Sequence, residues 1–369
     1  FAASPLFNND KPYYDGTTEA EKQHLVWYGN YDQERWQKAL KACEDFFNEM
    51  ERSGWYKLMT YKDLGLSKSH DSYRQAYRKG YASQGSHEII HSVRVGGVDA
   101  YKAGTYTWHQ WHDSPARQNC LPTQEYVEMF PWSDGRPFNW EEDSIAGNLF
   151  GANGKMFYSF TAIRGGVKKE ASRDPRLYEE CIVNSQYQSL DWTSGKSTGD
   201  IYELWVDGYD AGKNVATYDA STDETNVVEA LTSRYATGYD CNKYYMNQDY
   251  LRQYTQWVYL SLDEMYLMYA ECLAQTGNLE KAIKMVDVVR DRVGLKSINT
   301  SGYHKDANGN KIDLRNDKDK LIEEILRERA CELGISNNHY YDLIRYKRGD
   351  WFTKRLHGLV IYRMEKNAA

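Results

Sequence analysis

Residues 262–293, LDEMYLMYAECLAQTGNLEKAIKMVDVVRDRV, restrict the possible folds more than any other stretch of the chain. Apolar residues recur at three- and four-residue intervals on both sides of Thr276-Gly277-Asn278, the pattern of two amphipathic helices joined by a tight turn. Ala270 and Ala282 flank that turn and Val286 and Val289 follow, so small residues fall where the helices cross and their backbones must approach. This is tetratricopeptide spacing. One such hairpin cannot bury its apolar face alone and requires helical neighbours.

The sequence supplies them. Trp36, Ala39, Leu40, Cys43, Phe46, Phe47 and Met50 mark an amphipathic helix over 31–50, with Asp32 as N-cap and Ser53-Gly54 as stop. Further helices are expected over 68–83, 318–333 and 339–349, and a strand over 87–95 (HEIIHSVRV) that ends at Gly96-Gly97. Between 96 and 260 glycines, aromatics and short apolar runs alternate, which reads as long loops, short strands and brief helices. The expected fold is mainly α: tetratricopeptide-like hairpins holding an irregular, loop-rich insertion with short strands. Three regions follow within one domain: a helical scaffold over 1–95, the aromatic-rich region 96–260, and a helical region over 261–369.

Of 369 residues, 41% are apolar, enough for a real core, and the net charge of −7 without a basic block argues against nucleic acid as a partner. No apolar run reaches the length of a membrane span. The six cysteines contain no CxxC pair, which excludes a zinc ribbon, and Cys43, Cys272 and Cys331 lie on apolar helix faces as core thiols. The 32 Tyr and 11 Trp exceed what a core needs, and such side chains suit flat, rigid recognition surfaces.

Residues 107–113, TWHQWHD, place two tryptophans among polar neighbours only. A pyranose ring offers a C–H face that a flat aromatic covers and a rim of hydroxyls that Asp, His and Gln can pair with. Tyr106, Trp108, His109, Trp111 and Asp113 supply both parts in a loop after the strand, and loops on rigid scaffolds are where binding residues gather. In extended backbone Trp108 and Trp111 face opposite ways, so one of them would stack. The alternative is that both rings cover a small core of the loop itself. Tyr101, Trp132, Trp140 and Trp192 are secondary glycan-binding positions with packing as the competing role.

In its helical hairpin, its 325–346 segment and four shorter blocks the chain resembles the SusD/RagB family. SLDEMYLMYAECLAQTGNLEKAIKMVDVVRDRVGL is similar to its helical block R-x-x-E-x-x-L-x-x-A-E followed by R-x-R-(A/V)-G-L, and ILRERACELGISNNHYYDLIRY to I-x-x-E-R-x-x-E-L … D-L-x-R-W. SHEIIHSVRVG, FPWSDGRPF, SRDPRLYEECIVN and TGYDCNKYY match its other recurrent blocks in order. The resemblance implies a non-catalytic, lipid-anchored protein on the outer-membrane surface of Bacteroidetes-type bacteria. It implies binding of an oligosaccharide for a SusC-like TonB-dependent transporter; the residues themselves point to no cofactor and to no metal-ligand set. It also implies that the lipidated cysteine and parts of the helical frame belong beyond both ends of this sequence. The family's sugar contacts lie outside its recurrent motifs, so no residue transfers by position.

Other constellations carry less. GNLFGANGKM has Leu149 where a phosphate loop needs glycine and Met156 where it needs Ser or Thr. Residues 306–317, DANGNKIDLRND, mimic a calcium loop but place Lys311 at its obligatory glycine, so an Asn-Gly turn is expected. His109 and His112 lack further metal ligands. Glu141-Glu142-Asp143 offers carboxylates but no sign of the opposed pair a glycosidase requires. Glu328-Arg329 and Asp342-Arg345 read as helix-surface or interhelical ion pairs. Two rival functions remain beside glycan capture: a lid that binds protein only, and a glycoside hydrolase.

Overall fold

The structure, a computed structural model, describes residues 1–11, 17–95, 121–151, 153–190, 197–205, 217–219, 224–226, 237–243, 255–336 and 338–362. After a short helix α1 (Glu19–Lys22) come α2 (Gln33–Ser53) and α3 (His70–Ala82). Asp32 accepts the Glu34 amide at 2.9 Å and starts α2, while Gly54 stops it in left-handed backbone (φ 63°). Ser69 and Ser72 form a capping box at the start of α3.

The hairpin is α7 (Leu262–Gln275) and α8 (Leu279–Arg292), followed by α9 (Lys318–Leu333). The expected fourth helix over 339–349 is two pieces, α10 (Asn338–Arg345) and α11 (Gly349–Thr353), because Lys347 takes a left-handed conformation (φ 57°) between them. Ala270 and Ala282 are fully buried at the α7–α8 crossing. Trp36 and Cys43 from α2, Leu267 and Leu273 from α7, Val286 and Val289 from α8, and Ile325 from α9 form one core. The fold is therefore the helical, hairpin-based one expected.

The middle of the chain adds short elements: α4 (Gln124–Met129), α5 (Trp140–Ile145), the hairpin β2 (Tyr158–Ile163) with β3 (Gly166–Ala171), α6 (Leu177–Glu180) and β4 (Cys181–Ile182). The hairpins β5 (Tyr187–Leu190) with β6 (Ser197–Ile201), and β7 (Thr217–Asp219) with β8 (Glu224–Asn226), precede β9 (Asp240–Cys241), which pairs with β4. A second core joins Phe130, Trp132, Phe138, Leu177, Tyr178, Tyr239 and, from α9, Cys331. β1 (Ile89–Val95) pairs antiparallel with β10 (Thr255–Ser261), so the 96–254 excursion leaves and returns along a single ribbon.

Buried charges join these layers. Arg176, fully buried, bonds Asp174 (2.6 Å), Glu328 (2.6 Å) and Glu332 (2.8 Å). Arg290 meets Glu328 at 2.6 Å, and Arg292 meets Glu88 at 2.7 Å and also Glu332. Arg74 and Arg78 share Glu179, while Lys243 and Tyr77 share Glu180. The residues read from sequence as helix-surface or interhelical pairs are buried; Asp342 and Arg345 pair within α10 at 2.6 Å, and the other bonds run between elements. Glu328 turns to Arg176 and Arg290, and Arg329 to Asp342 at 2.7 Å, because the motif residues face inward between three helices.

Candidate functional site

The β1–β10 ribbon carries exposed aromatic groups that sequence patterning passes over. Tyr259 on β10 is 60% exposed and its ring lies 5.8 Å from that of His91 on β1. Just before β1, the His87 ring lies tilted against Trp55, also 60% exposed, with ring centres 4.6 Å apart. The pair is fixed by backbone: the Lys57 amide donates to the His87 carbonyl at 3.2 Å, and His87 Nδ1 lies 2.6 Å from the Trp55 carbonyl oxygen. Each pair presents aromatic face with imidazole beside it, the combination that covers a sugar C–H face and pairs with a hydroxyl. Both stand near other aromatics in the sequence, Trp55 beside Tyr56 and Tyr259 after Tyr254 and Trp257, but nothing local pairs them with His87 and His91; that signal is only the pairing of distant segments.

Tyr101, Tyr106, Trp108, His109, Trp111, Asp113 and Trp192 lie outside the described residues. Trp132 is 4% exposed: its Nε1 donates to Asp143 at 2.9 Å, Phe138 packs 5.7 Å away, and the Arg136 and Arg173 guanidiniums lie 5.2 and 5.5 Å from its ring centre. A ring so enclosed offers no face to a sugar in this conformation, and its place is the second core. Trp140 is half-buried at the start of α5, edge-on to Phe138 and Phe150. The FPWSDGRPF block turns at Gly135 (φ 93°), whose carbonyl receives Arg290 at 2.9 Å.

Asp143 accepts from Trp132, Arg136, Asn148 and the Asn139 amide. Burial pushes its carboxyl up, yet those bonds outweigh burial and hold it below the ordinary carboxylate value. Asp143 thus anchors α5, and Glu141 and Glu142 are exposed. Residues 306–317 close as a turn, with Asp306 Oδ1 accepting the Asn308 and Asn310 amides and Gly309 in left-handed backbone (φ 81°).

Glu88, Asp263 and Glu332 bring carboxylate oxygens within 4.8 Å of one another. Arg292 bonds two of the three, so a guanidinium already supplies the charge a cation would. The adjoining cavity of about 30 Å³ holds a water, not a pyranose ring. Burial raises Glu88 to about 7 despite Arg292. A groove of about 790 Å³ between α2, α7 and α10 is lined by Trp36, Met265, Met268, Tyr341 and the Glu271–Arg345 pair. Glu264 stands on its wall, and burial raises its carboxyl to about 7 against the pull of Arg329.

Residues 87–368 match the SusD family. The chain belongs to the SusD family. Among solved structures, this SusD-family chain is similar to a SusD-like protein of Bacteroides fragilis, BF3747, with 19% identity and a TM-score of 0.54, covering 89% of this chain and 54% of that one. It is also similar to the protein BT4246, with 18% identity and a TM-score of 0.60, covering 95% of this chain and 58% of that one. The SusD-family chain therefore spans less than two thirds of the length of these relatives. Among curated proteins none matches. Arg176, Arg290, Arg292, Glu328 and Glu332, all within the matched range, form the buried ion network and account for the fold rather than for a ligand. No helix among the described residues is long and apolar enough to cross a membrane.

Proposed function

We propose that this chain is a cell-surface glycan receptor. It captures an oligosaccharide by aromatic stacking and hydroxyl hydrogen bonds, and delivers it, without catalysis, to a partner TonB-dependent transporter in the outer membrane. Membership of the SusD family supports the reading. The observation that carries it is the ribbon: the 96–254 excursion, whose sequence contains TWHQWHD, begins at β1 and returns at β10, beside the exposed rings of the Trp55–His87 and His91–Tyr259 pairs. Trp108 and Trp111, with Tyr106, His109 and Asp113 beside them, form the main sugar platform in this reading, and Tyr101 and Trp192 extend it. Attachment by an N-terminal lipid belongs to the same proposal.

Binding without turnover is supported by where the displaced carboxylates sit. Glu88 borders a space too small for a sugar, and Asp143 is consumed by four donors. In the groove that Glu264 lines, the other carboxylates, Glu271 and Asp342, are held by Arg345 and Arg329, so no free carboxylate among the described residues of that groove opposes it. A glycosidase needs two carboxyl groups facing each other across a cleft that admits substrate.

Calorimetry against a glycan panel tests the proposal, with the wild type and the double variant Trp108→Ala, Trp111→Ala. The expected outcome is a ligand whose affinity falls at least about tenfold in the folded double variant, roughly 1.4 kcal/mol, with no products released. Binding that survives moves the platform to another aromatic cluster, with Trp55→Ala and Tyr259→Ala as the next variants. A panel with no ligand leaves the protein-only lid ahead, and glycan cleavage overturns the non-catalytic assignment.

A further inference from the structure

β4 and β9 are two residues long, and their register sets Cys181 directly opposite Cys241. In an antiparallel pair, opposed residues alternate between those that exchange backbone hydrogen bonds and those that do not; the second kind brings Cα atoms to about 4.5 Å. Three bonds decide which kind this is. The Asn242 amide donates to the Glu180 carbonyl at 2.8 Å, so the neighbouring pair, Glu180 with Asn242, is the hydrogen-bonded one. The Cys241 amide instead turns to its neighbour's carboxylate, Asp240 Oδ1, at 2.8 Å, and the Cys181 amide closes α6 by donating to the Leu177 carbonyl. Both cysteine amides point away from the partner strand. Cys181 and Cys241 therefore occupy a non-hydrogen-bonded site, with side chains on one face and a Cα separation inside the roughly 4.4–6.8 Å that a disulfide spans.

Both residues are fully buried. We propose that Cys181 and Cys241 are a disulfide site, closed when the chain folds in an oxidising compartment. That setting follows from the surface location proposed above, since exported chains meet disulfide oxidants that cytosolic chains do not. With glutathione disulfide as oxidant, one cysteine thiolate attacks a glutathione sulfur and expels a glutathione thiolate. The second cysteine thiolate then attacks the protein-bound sulfur of that mixed disulfide and expels the other glutathione. Two protein thiols lose two protons and two electrons, and one glutathione disulfide becomes two glutathiones.

The bond ties the end of α6, through which Glu179 and Glu180 enter the ion network, to the TGYDCNKYY block that supplies Lys243 to the same network. It also closes the whole 181–241 excursion into a loop, restricting the unfolded chain far more than the folded one. Cys331 belongs to the same buried cluster and competes for either sulfur. No strand register among the described residues sets it opposite either of them, whereas Cys181 and Cys241 face each other across β4 and β9.

The test uses the full chain prepared in two ways: exported to a bacterial periplasm, and reduced, unfolded and refolded in glutathione buffer. Each sample is denatured under acid quench, alkylated without reductant, digested with trypsin and mapped by mass. The expected result is a linked pair of peptides 177–196 and 235–243, two hydrogen masses below their sum, in most molecules of both samples. Reduction should lower the melting temperature of the wild type by several degrees and leave Cys181→Ala unmoved. Alkylation of both cysteines in both samples overturns the proposal, as does linkage of either one to peptide 330–345, which carries Cys331. The refolded sample does not depend on export, so loss of the linkage there is distinguishable from failure of the surface reading.

Discussion

At the scale of single residues, Arg176 is the side chain on which most buried charge converges. Three carboxylates, Asp174, Glu328 and Glu332, lie within 2.8 Å of it, and all are buried. Arg290 and Arg292 share Glu328 and Glu332, but Asp174 has no second cation among the ion pairs of the described residues. Arg176→Met keeps much of the volume and strands that charge, so a loss of about 3–5 kcal/mol is expected by urea denaturation at pH 7. Arg315→Met, at an exposed pair with Asp313, is the control and should not shift the midpoint measurably. Glu264 sets a pH dependence. Burial raises its carboxyl from the ordinary 4.5 to about 7, so between those values the folded chain binds more protons than the unfolded one. Its contribution is therefore fully present below about 4.5 and lost as pH rises through 7. Glu264→Gln should flatten the fall in stability between pH 5 and 8 by on the order of 2 kcal/mol; an unchanged slope would show that solvent in the groove already relieves the burial.

At the scale of elements, the two helices of the hairpin end alike and respond differently to substitution. α7 closes with the Gly277 amide bonded to Ala274 and the Asn278 amide to Leu273; α8 closes with Gly294 bonded to Asp291 and Leu295 to Arg290. Both glycines are left-handed, at φ 92° and 78°. A Cβ at Gly277 meets open space, so Gly277→Ala should cost only the backbone conformation, about 1–2 kcal/mol. A Cβ at Gly294 would lie 2.3 Å from the Tyr73 ring of α3, so Gly294→Ala should cost clearly more and loosen α3. Thermal melts of both variants decide this, and equal costs would mean Tyr73 moves freely. These helices were legible in the sequence because their signals are local: apolar period, the Asp32 cap, the Gly54 stop and the Gly277 turn all lie within a few residues. α2, α3, α7, α8 and α9 fall where periodicity places them, to within a few residues. β10 did not stand out from its surroundings. TQWVYLS becomes a strand only by pairing with β1, more than 150 residues away (Ser92 opposite Val258), and such pairing leaves no local trace.

At the scale of the whole molecule, the region that reads as an insertion is built into the frame. Arg74 and Arg78 of α3 hold Glu179, Tyr77 and Lys243 hold Glu180, and Arg176 reaches Glu328 and Glu332 of α9. Composition separates 96–260 from the helices because glycines and aromatics dominate it. Its charges belong to partners far along the chain, and no spacing rule connects Glu179 to Arg74. The same limit applies to the site. TWHQWHD is conspicuous in the sequence because polar neighbours isolate its tryptophans, whereas His91 meets Tyr259 only once the ribbon forms and Trp55 meets His87 only once the segment after α2 folds beside the start of β1. Trp132 shows the converse, a tryptophan in a Gly- and Asp-rich setting that the fold encloses. A molecule stitched this way should unfold as one unit. Scanning calorimetry is expected to give a single transition with equal calorimetric and van't Hoff enthalpies, and Arg176→Met should move that transition without splitting it. If residues 96–254 were an independent module, a second transition would appear and the Arg176 variant would leave the helical one in place. Charges shared between α3, α6 and α9 leave no plane along which the chain could divide, and this favours the single transition.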